Sequence, residues 1–122
     1  QGGHLMDLMI LAGELSMTVL LEVHNVDLLL SVRSLIGFPK HGYSILGINN
    51  RDLSTMEVDI NNCRRMAELI DGGKRRFVAE SGIKSWEDVV SVKHAGACAV
   101  LIGESLCKSD DIAKKYKEIF KY

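Results

Sequence analysis

The chain has 122 residues, of which 47% are hydrophobic and 25% charged, and its net charge is −1. This size allows one domain with one core, and the basic residues form no long block that would favour a nucleic-acid surface. The apolar runs are far too short to cross a membrane and no stretch has the layout of a signal peptide, so we predict a cytoplasmic protein without nucleic-acid or membrane partners.

Helix-like and strand-like patterns alternate along the chain. An apolar helical pattern over about residues 4–15 comes first. Four short runs then have the composition of β-strands: Thr18–Val23, Ser44–Ile48, Arg76–Glu80 and Cys98–Ile102. These runs are continuously apolar rather than alternating, which predicts parallel strands that are covered on both faces.

Four helices are predicted after these strands, over residues 26–36, 59–70, about 85–95 and 110–120. Asp59 and Ser109 are the expected N-caps of the second and the last of them. Ser85 and Asp88 have the spacing of a capping box, and Gly96 stands where a C-terminal stop is expected. One helix followed by four strand–helix units predicts right-handed crossovers and a parallel sheet.

Two architectures fit four strand–helix units. One is a small doubly wound sheet, and the other is half of an eight-stranded (β/α) barrel, which typically needs about 250 residues. No linker or break in composition divides the chain, so we predict a single unit over residues 1–122. In either architecture the functional residues collect at the carboxyl ends of the strands.

The first two of these ends carry polar side chains. Glu22 interrupts an apolar run, which is costly unless the carboxylate is paired or lies in a site. Such a group in an apolar pocket is suited to proton transfer near neutral pH. The second strand ends in the polar residues 49–52, Asn-Asn-Arg-Asp, which taken alone are good turn composition.

The last two strand ends combine small residues with carboxylates. Glu80 is followed by Ser81 and Gly82, and the fourth strand is followed by Gly103 and Glu104. Glycine lets backbone N–H groups approach an anion closely, and barrel enzymes commonly hold a phosphate between the last two strand loops. Each pair alone is ordinary turn chemistry, whereas both on consecutive units predict a phosphate site.

Several motifs in register resemble one family. In chain order they are LLEVHN (20–25), GINNRDL (47–53), MEVDI (56–60), AESGI (79–83) and VLIGESL (100–106). Together they resemble the C-terminal half of indole-3-glycerol phosphate synthase, a (β/α)8 TIM-barrel enzyme of tryptophan biosynthesis. The resemblance implies that the four strands are the fifth to eighth of such a barrel. The succession of four such strand ends favours Asn49 and Arg51 as groups presented to a ligand, with Asn50 and Asp52 left in a turn role.

The resemblance implies roles for eight residues. The family closes the ring of a carboxyphenylamino-deoxyribulose phosphate with loss of carbon dioxide and water. Glu22 would act in proton transfer, with Asn49 and Glu80 as further catalytic residues. Arg51 and Ser81 would line the substrate site. The remaining positions, Gly82, Gly103 and Glu104, would hold the substrate phosphate through their backbone amides.

One part of the family pattern has no counterpart in the sequence. The family's general-acid lysine and a second active-site lysine come from the first half of the barrel, and no lysine here ends a matching strand. Lys84 lies at a helix start, where we expect it on the surface. We therefore predict little or no synthase activity for the 122 residues alone. We also expect the beginning at Gln1, which is not Met, to be a processed or truncated end.

A half-barrel would leave its first and last strands as open edges. We therefore expect a missing N-terminal half-barrel or a second copy of the chain as partner, besides a phosphorylated small-molecule substrate. The isolated cysteines, Cys63, Cys98 and Cys107, argue against a disulfide framework and a zinc site, and we predict no metal and no cofactor. The alternatives are a non-catalytic phosphate-binding or self-assembling half-barrel, and another barrel enzyme such as phosphoribosylanthranilate isomerase.

Overall fold

The computed structural model describes residues 2–36, 44–70 and 76–121, so the expectation about Gln1 lies outside the described residues. Helices and strands alternate over this part of the chain. In order they are α1 (Gly2–Glu14), β1 (Val19–Val23), α2 (Val26–Val32), β2 (Ser44–Asn49), α3 (Asn62–Ala67), β3 (Phe77–Glu80), α4 (Trp86–His94), β4 (Ala97–Leu101), α5 (Glu104–Cys107) and α6 (Ile112–Phe120). A 3₁₀ turn over Arg33–Leu35 extends α2, and the four-residue α5 was not predicted.

The four strands form one parallel sheet in the order β1-β2-β3-β4. Each strand lies beside the strand that precedes it in the chain, with no reversal of order at which a doubly wound sheet would switch direction. The predicted α/β fold is confirmed, and its pattern is that of part of a TIM barrel. The register places Glu22 beside Gly47 and Asn49 beside Glu80, so polar residues from three strands lie close together.

The two faces of the sheet differ sharply in burial. On one face, which packs against the helices, the core contains Leu46, Ile48 and Ala79 at 0% exposure. The other face, called the inner face below, leaves Leu20 37%, Ile45 41% and Leu101 53% exposed. The prediction that both faces are covered is therefore wrong for the described residues. Continuous apolar composition is typical of strands that are covered on both sides. Here the apolar residues of the inner face stay exposed, although Asn49 and Glu80 on the same face are buried.

Both predicted ends of α4 are found in the structure. The Ser85 hydroxyl accepts from the Asp88 N–H, and the Asp88 side chain reaches back to the cap, so the predicted capping box is confirmed. Gly96, with φ at +110°, ends this helix region as expected, because only glycine adopts that conformation freely.

Two predicted caps are wrong. α3 begins after Asn61, and the Asp59 carboxylate instead accepts from the Asn61 N–H at 3.0 Å and pairs with a guanidinium further along. α6 is capped by Asp111, whose Oδ1 accepts from the Lys114 N–H at 3.0 Å, whereas Ser109 lies two residues too early. Several capping residues compete within a few positions, and packing decides among them.

No helix within residues 2–36, 44–70 and 76–121 combines the length and apolar character needed to cross a bilayer.

Candidate active site

The carboxyl ends of the strands open into one cleft of about 1060 Å³. All eight predicted site residues line it: Glu22, Asn49, Arg51, Glu80, Ser81, Gly82, Gly103 and Glu104. They come from all four strand ends, which parallel strands bring to the same side of a sheet. Position alone does not assign a role, so their individual functions stay predictions at this point.

Glu22 and Asn49 are joined across the two first strands. The Asn49 Nδ2 donates to Glu22 Oε1 at 2.6 Å, and the Asn49 Oδ1 accepts from the Arg51 N–H at 2.9 Å. Because the amide oxygen is already engaged by a backbone donor, the NH₂ group has to face the carboxylate. Asn49 therefore fixes the orientation of Glu22. Glu22 itself is exposed to the cleft, so the apolar pocket expected around it from the sequence is not found.

Glu80 is the buried carboxylate of the site. Its side chain is 3% exposed, and among the described residues neither carboxyl oxygen has a hydrogen-bond partner. Burial, and next the charge of Glu22, raise the pKa of Glu80 from its ordinary 4.5 to about 7. A carboxyl with this pKa exchanges a proton near neutral pH, which is the property that the sequence suggested for the first strand end.

The turn after β3 has an unusual backbone. Ser81 and Gly82 both have positive φ, +69° and +75°. A non-glycine residue in this region is uncommon and costs free energy, so the surrounding structure has to hold it in place. A Cβ at Gly82 would lie 2.7 Å from a Val58 methyl carbon, which makes glycine necessary there for space as well as for φ.

Asn50 holds this strained turn, and its predicted turn role is wrong. The side chain is buried, and its Nδ2 donates to the Ser81 carbonyl at 3.1 Å while its Oδ1 accepts from the Cys63 N–H at 3.1 Å. Its own N–H donates to the Glu80 carbonyl at 2.8 Å. Asn50 thus ties β2 to the β3 turn and to α3. Nothing in its sequence neighbourhood distinguishes it from a turn residue.

We expect Asn50→Ala to lower the free energy of unfolding by about 2–3 kcal/mol, because the half-buried Ser81 carbonyl and the buried Cys63 N–H both lose their bond to the side chain. Urea denaturation monitored by circular dichroism measures this. Asn61→Ala is the matched control, since the exposed Asn61 side chain makes no capping bond and its loss should change stability by less than about 0.5 kcal/mol. Equal small losses in both variants would contradict the assignment.

An ion-pair chain crosses the mouth of the cleft. Arg51 Nη2 lies 2.6 Å from Glu104 Oε2, and Lys108 Nζ lies 2.7 Å from Glu104 Oε1. The hydrogen bond from Lys108, then the charges of Lys108 and Arg51, lower the pKa of Glu104. Arg51 Nη1 also donates to the Met56 carbonyl at 3.2 Å, so the guanidinium is held from two sides.

Three lysines line the cleft: Lys84, Lys108 and Lys115. Lys84 is exposed as expected, and it belongs to the cleft as well. Lys108 and Lys115 were not anticipated, because they lie at the end of α5 and within α6 rather than at a strand end. Across residues 2–36, 44–70 and 76–121, no cluster of His, Cys, Asp or Glu could hold a metal ion.

A family model for indole-3-glycerol phosphate synthase matches residues 2–119. The chain belongs to this family. It is similar to the synthase of Ruminiclostridium cellulolyticum, with 42% identity over 83% of this chain and 36% of that protein. The synthase of Desulforamulus reducens is 37% identical over 96% of the chain and 42% of its own length, and that of Roseiflexus castenholzii 39% over 92% and 40%.

The chain spans about two fifths of the length of these synthase relatives. The family resemblance read from the sequence motifs is thereby confirmed, and the family is one of lyases in tryptophan biosynthesis. In this chain of the indole-3-glycerol phosphate synthase family, the cleft combines the Glu22 carboxylate held by Asn49, the buried Glu80 carboxyl with its raised pKa, and the turns after β3 and β4.

Proposed function

We propose that the chain forms the phosphate-binding and proton-accepting side of an indole-3-glycerol phosphate synthase active site. The reaction would be the ring closure of carboxyphenylamino-deoxyribulose phosphate with loss of carbon dioxide and water, in the cytoplasm. The observation that carries this proposal is the Asn49 amide, which is fixed by a backbone donor and holds the Glu22 carboxylate in the cleft.

Glu22 is our candidate for proton transfer at the reacting carbons. Loss of water from a ring-closed intermediate requires removal of a proton, and a positioned carboxylate contributes by staying within hydrogen-bond reach of it. The bond from Asn49 supports a single carboxylate orientation. Glu80, with its pKa of about 7, would exchange a proton with the substrate or with a neighbouring group.

The phosphate would lie between the turns after β3 and β4. At Gly103 an added Cβ would meet no atom within 4 Å, so the backbone there is open to the cleft. Lys84, Lys108 and Lys115 add positive charge along the same side, which favours a phosphorylated substrate. Ser81 would contribute through the strained turn that Asn50 holds.

We infer that the 122 residues have little or no turnover without a partner. The three cleft lysines all follow β3 or β4 in the chain, and none stands at the end of β1 or β2. Catalysis would need a general acid placed opposite the base, and none of these lysines stands at a strand end for that role. β1 and β4 each have one edge without a neighbouring strand among the described residues, and the inner face between them is partly exposed. A segment that completes the barrel, or else a second copy, would cover these surfaces.

The test is complementation in trans. The chain is mixed with the part of the Desulforamulus reducens relative that it does not match, and formation of indole-3-glycerol phosphate is measured. We expect product from the mixture and almost none from either part alone. Near-normal turnover by the chain alone would overturn the inactivity. A stable complex without turnover would overturn the catalytic proposal and favour a non-catalytic half-barrel.

Gly103→Ala tests the phosphate site within the complemented enzyme. The added methyl group has free space in the fold but projects where a phosphate would approach the backbone, so we expect KM to rise about tenfold or more with little change in the melting temperature. Gly3→Ala, where a Cβ also meets nothing, is the matched control in α1. An unchanged KM would show that the phosphate binds elsewhere.

A further inference from the structure

The inner face of β2 has a gap at its centre. Gly47 lies in the middle of β2, beside Glu22 on β1 and Val78 on β3. Strand alternation puts Gly47 on the same face as Asn49, which points toward the cleft. A glycine inside a central strand removes packing and costs backbone entropy, so it marks a place where something else approaches closely.

The group that approaches is the carboxyl of Glu80. A Cβ built on Gly47 would lie 2.9 Å from Glu80 Oε2 and 3.1 Å from Glu80 Cδ. Leu20 Cδ1 would be 3.1 Å from the same point, so a methyl group from β1 and the carboxyl from β3 meet above the glycine. In register, Glu80 lies beside Asn49, one level higher on the inner face than Gly47. Its side chain therefore leans back across β2 to the level of Glu22.

We propose that Gly47 is a positioning residue: its missing side chain forms a notch in β2 that lets the Glu80 carboxyl lie across the strand toward Glu22, so that the two carboxyls interact. With any larger residue at position 47, Glu80 would have to turn out into the cleft water. This inference rests on the proposed function for its catalytic meaning, but the geometry can be tested without turnover.

The surroundings of Glu80 support this arrangement. Its oxygens are buried without a partner among the described residues, and the charge of Glu22 acts on it. Within the described part of the chain the Cys63 thiol of α3 also interacts with it, since the charge of Glu80 contributes to raising the pKa of Cys63. The charged groups at the cleft mouth, Arg51, Glu104 and Lys108, pair with one another instead.

The notch has a consequence for proton exchange. A carboxyl that is dry and faces a second carboxylate keeps its proton to higher pH than one in water. The notch thus gives the two carboxyls different environments. Glu22 is exposed and held by Asn49, whereas Glu80 carries a proton near neutral pH. Environments that separate two carboxyls in this way provide a base and an acid in one site.

Carbon-13 NMR titration of the side-chain carboxyls in the labelled chain is the direct test, with Glu80→Gln to assign the signal. In Gly47→Ala we expect the apparent pKa of Glu80 to fall by about one pH unit or more, because the carboxyl is displaced into water. The displaced atoms are the far end of a flexible side chain, so the variant should fold. Gly3→Ala should leave the titration unchanged.

Glu80→Asp gives an independent variant, since it keeps the carboxyl but withdraws it by one methylene from the notch. Its carboxyl should titrate near the ordinary range, and adding Gly47→Ala should then have no further effect. An unchanged Glu80 titration in Gly47→Ala, or an aspartate that still titrates near pH 7, would overturn the inference.

In the complemented enzyme, the pH profile of kcat/KM should shift in Gly47→Ala. Absence of any turnover would count against the proposed function alone.

Discussion

Glu22→Gln should lower kcat of the complemented enzyme by about 10²–10⁴-fold, the range that a positioned proton-transfer group contributes. The substitution keeps the length and shape of the side chain but removes its ability to take up a proton. Because in our proposal other residues would hold the phosphate and the rest of the substrate, KM should change only a few-fold. Steady-state kinetics on the mixture of the two parts measures both constants.

The control for this variant is Glu118→Gln, which removes an exposed carboxylate from α6. It should leave both kinetic constants unchanged. Asn49→Ala should fall between the two, with kcat reduced about tenfold, because Glu22 remains but loses the donor that orients it. If Glu22→Gln retained most of the turnover while the complex formed normally, Glu22 would not be the proton-transfer group.

The second large effect is a loss of stability between about pH 4.5 and 7, caused by Glu80. Its pKa is about 7 in the folded protein and 4.5 ordinarily. Below pH 4.5 the folded and the unfolded state both carry the proton on Glu80, so no charge is buried on folding and stability is not reduced. Between the two values the unfolded chain has released the proton and the folded chain has not, so stability falls as pH rises. Above pH 7 the full cost is present.

A shift of this size would correspond in full to roughly 3.4 kcal/mol, at about 1.4 kcal/mol per pH unit. We expect a smaller total loss of about 2 kcal/mol, because the neighbouring cleft is open to solvent that screens the charge. Urea denaturation at several pH values between 4 and 8 measures it. Glu80→Gln should remove this pH dependence and exceed the parent in stability at pH 8. Glu118→Gln should follow the parent curve. A parent whose stability is flat or rises over this range would contradict burial of Glu80.

Much of the fold could be predicted from the sequence because secondary structure leaves local patterns. All four strands lie within one or two residues of their predicted bounds, and the Ser85 capping box forms as expected. The caps predicted at Asp59 and Ser109 failed because several equivalent residues lie close together. Local chemistry permits each of them, and the packing of the helix on the sheet chooses one.

The site could be predicted only in outline. The motifs identified which residues reach the cleft, because the carboxyl end of each parallel strand is readable from the strand itself. They did not reveal that the buried Asn50 side chain connects β2 to the turn after β3 by a hydrogen bond, or that Lys108 and Lys115 line the same cleft. Those facts depend on where separate elements meet. The cytoplasmic location and the partner stay predictions.

The sequence by itself determined the order of the elements other than α5, the family, and which eight residues at the strand ends line the cleft. Tertiary structure alone decided which carboxylate is buried. Glu22 was expected to be the buried group because its neighbours are apolar, yet Glu80 is the buried one, since the notch at Gly47 accommodates its carboxyl. The physical reason is distance along the chain. Asn49 and Glu22 are 27 residues apart, and Arg51 and Glu104 are 53, so burial and pairing arise only when the strands assemble.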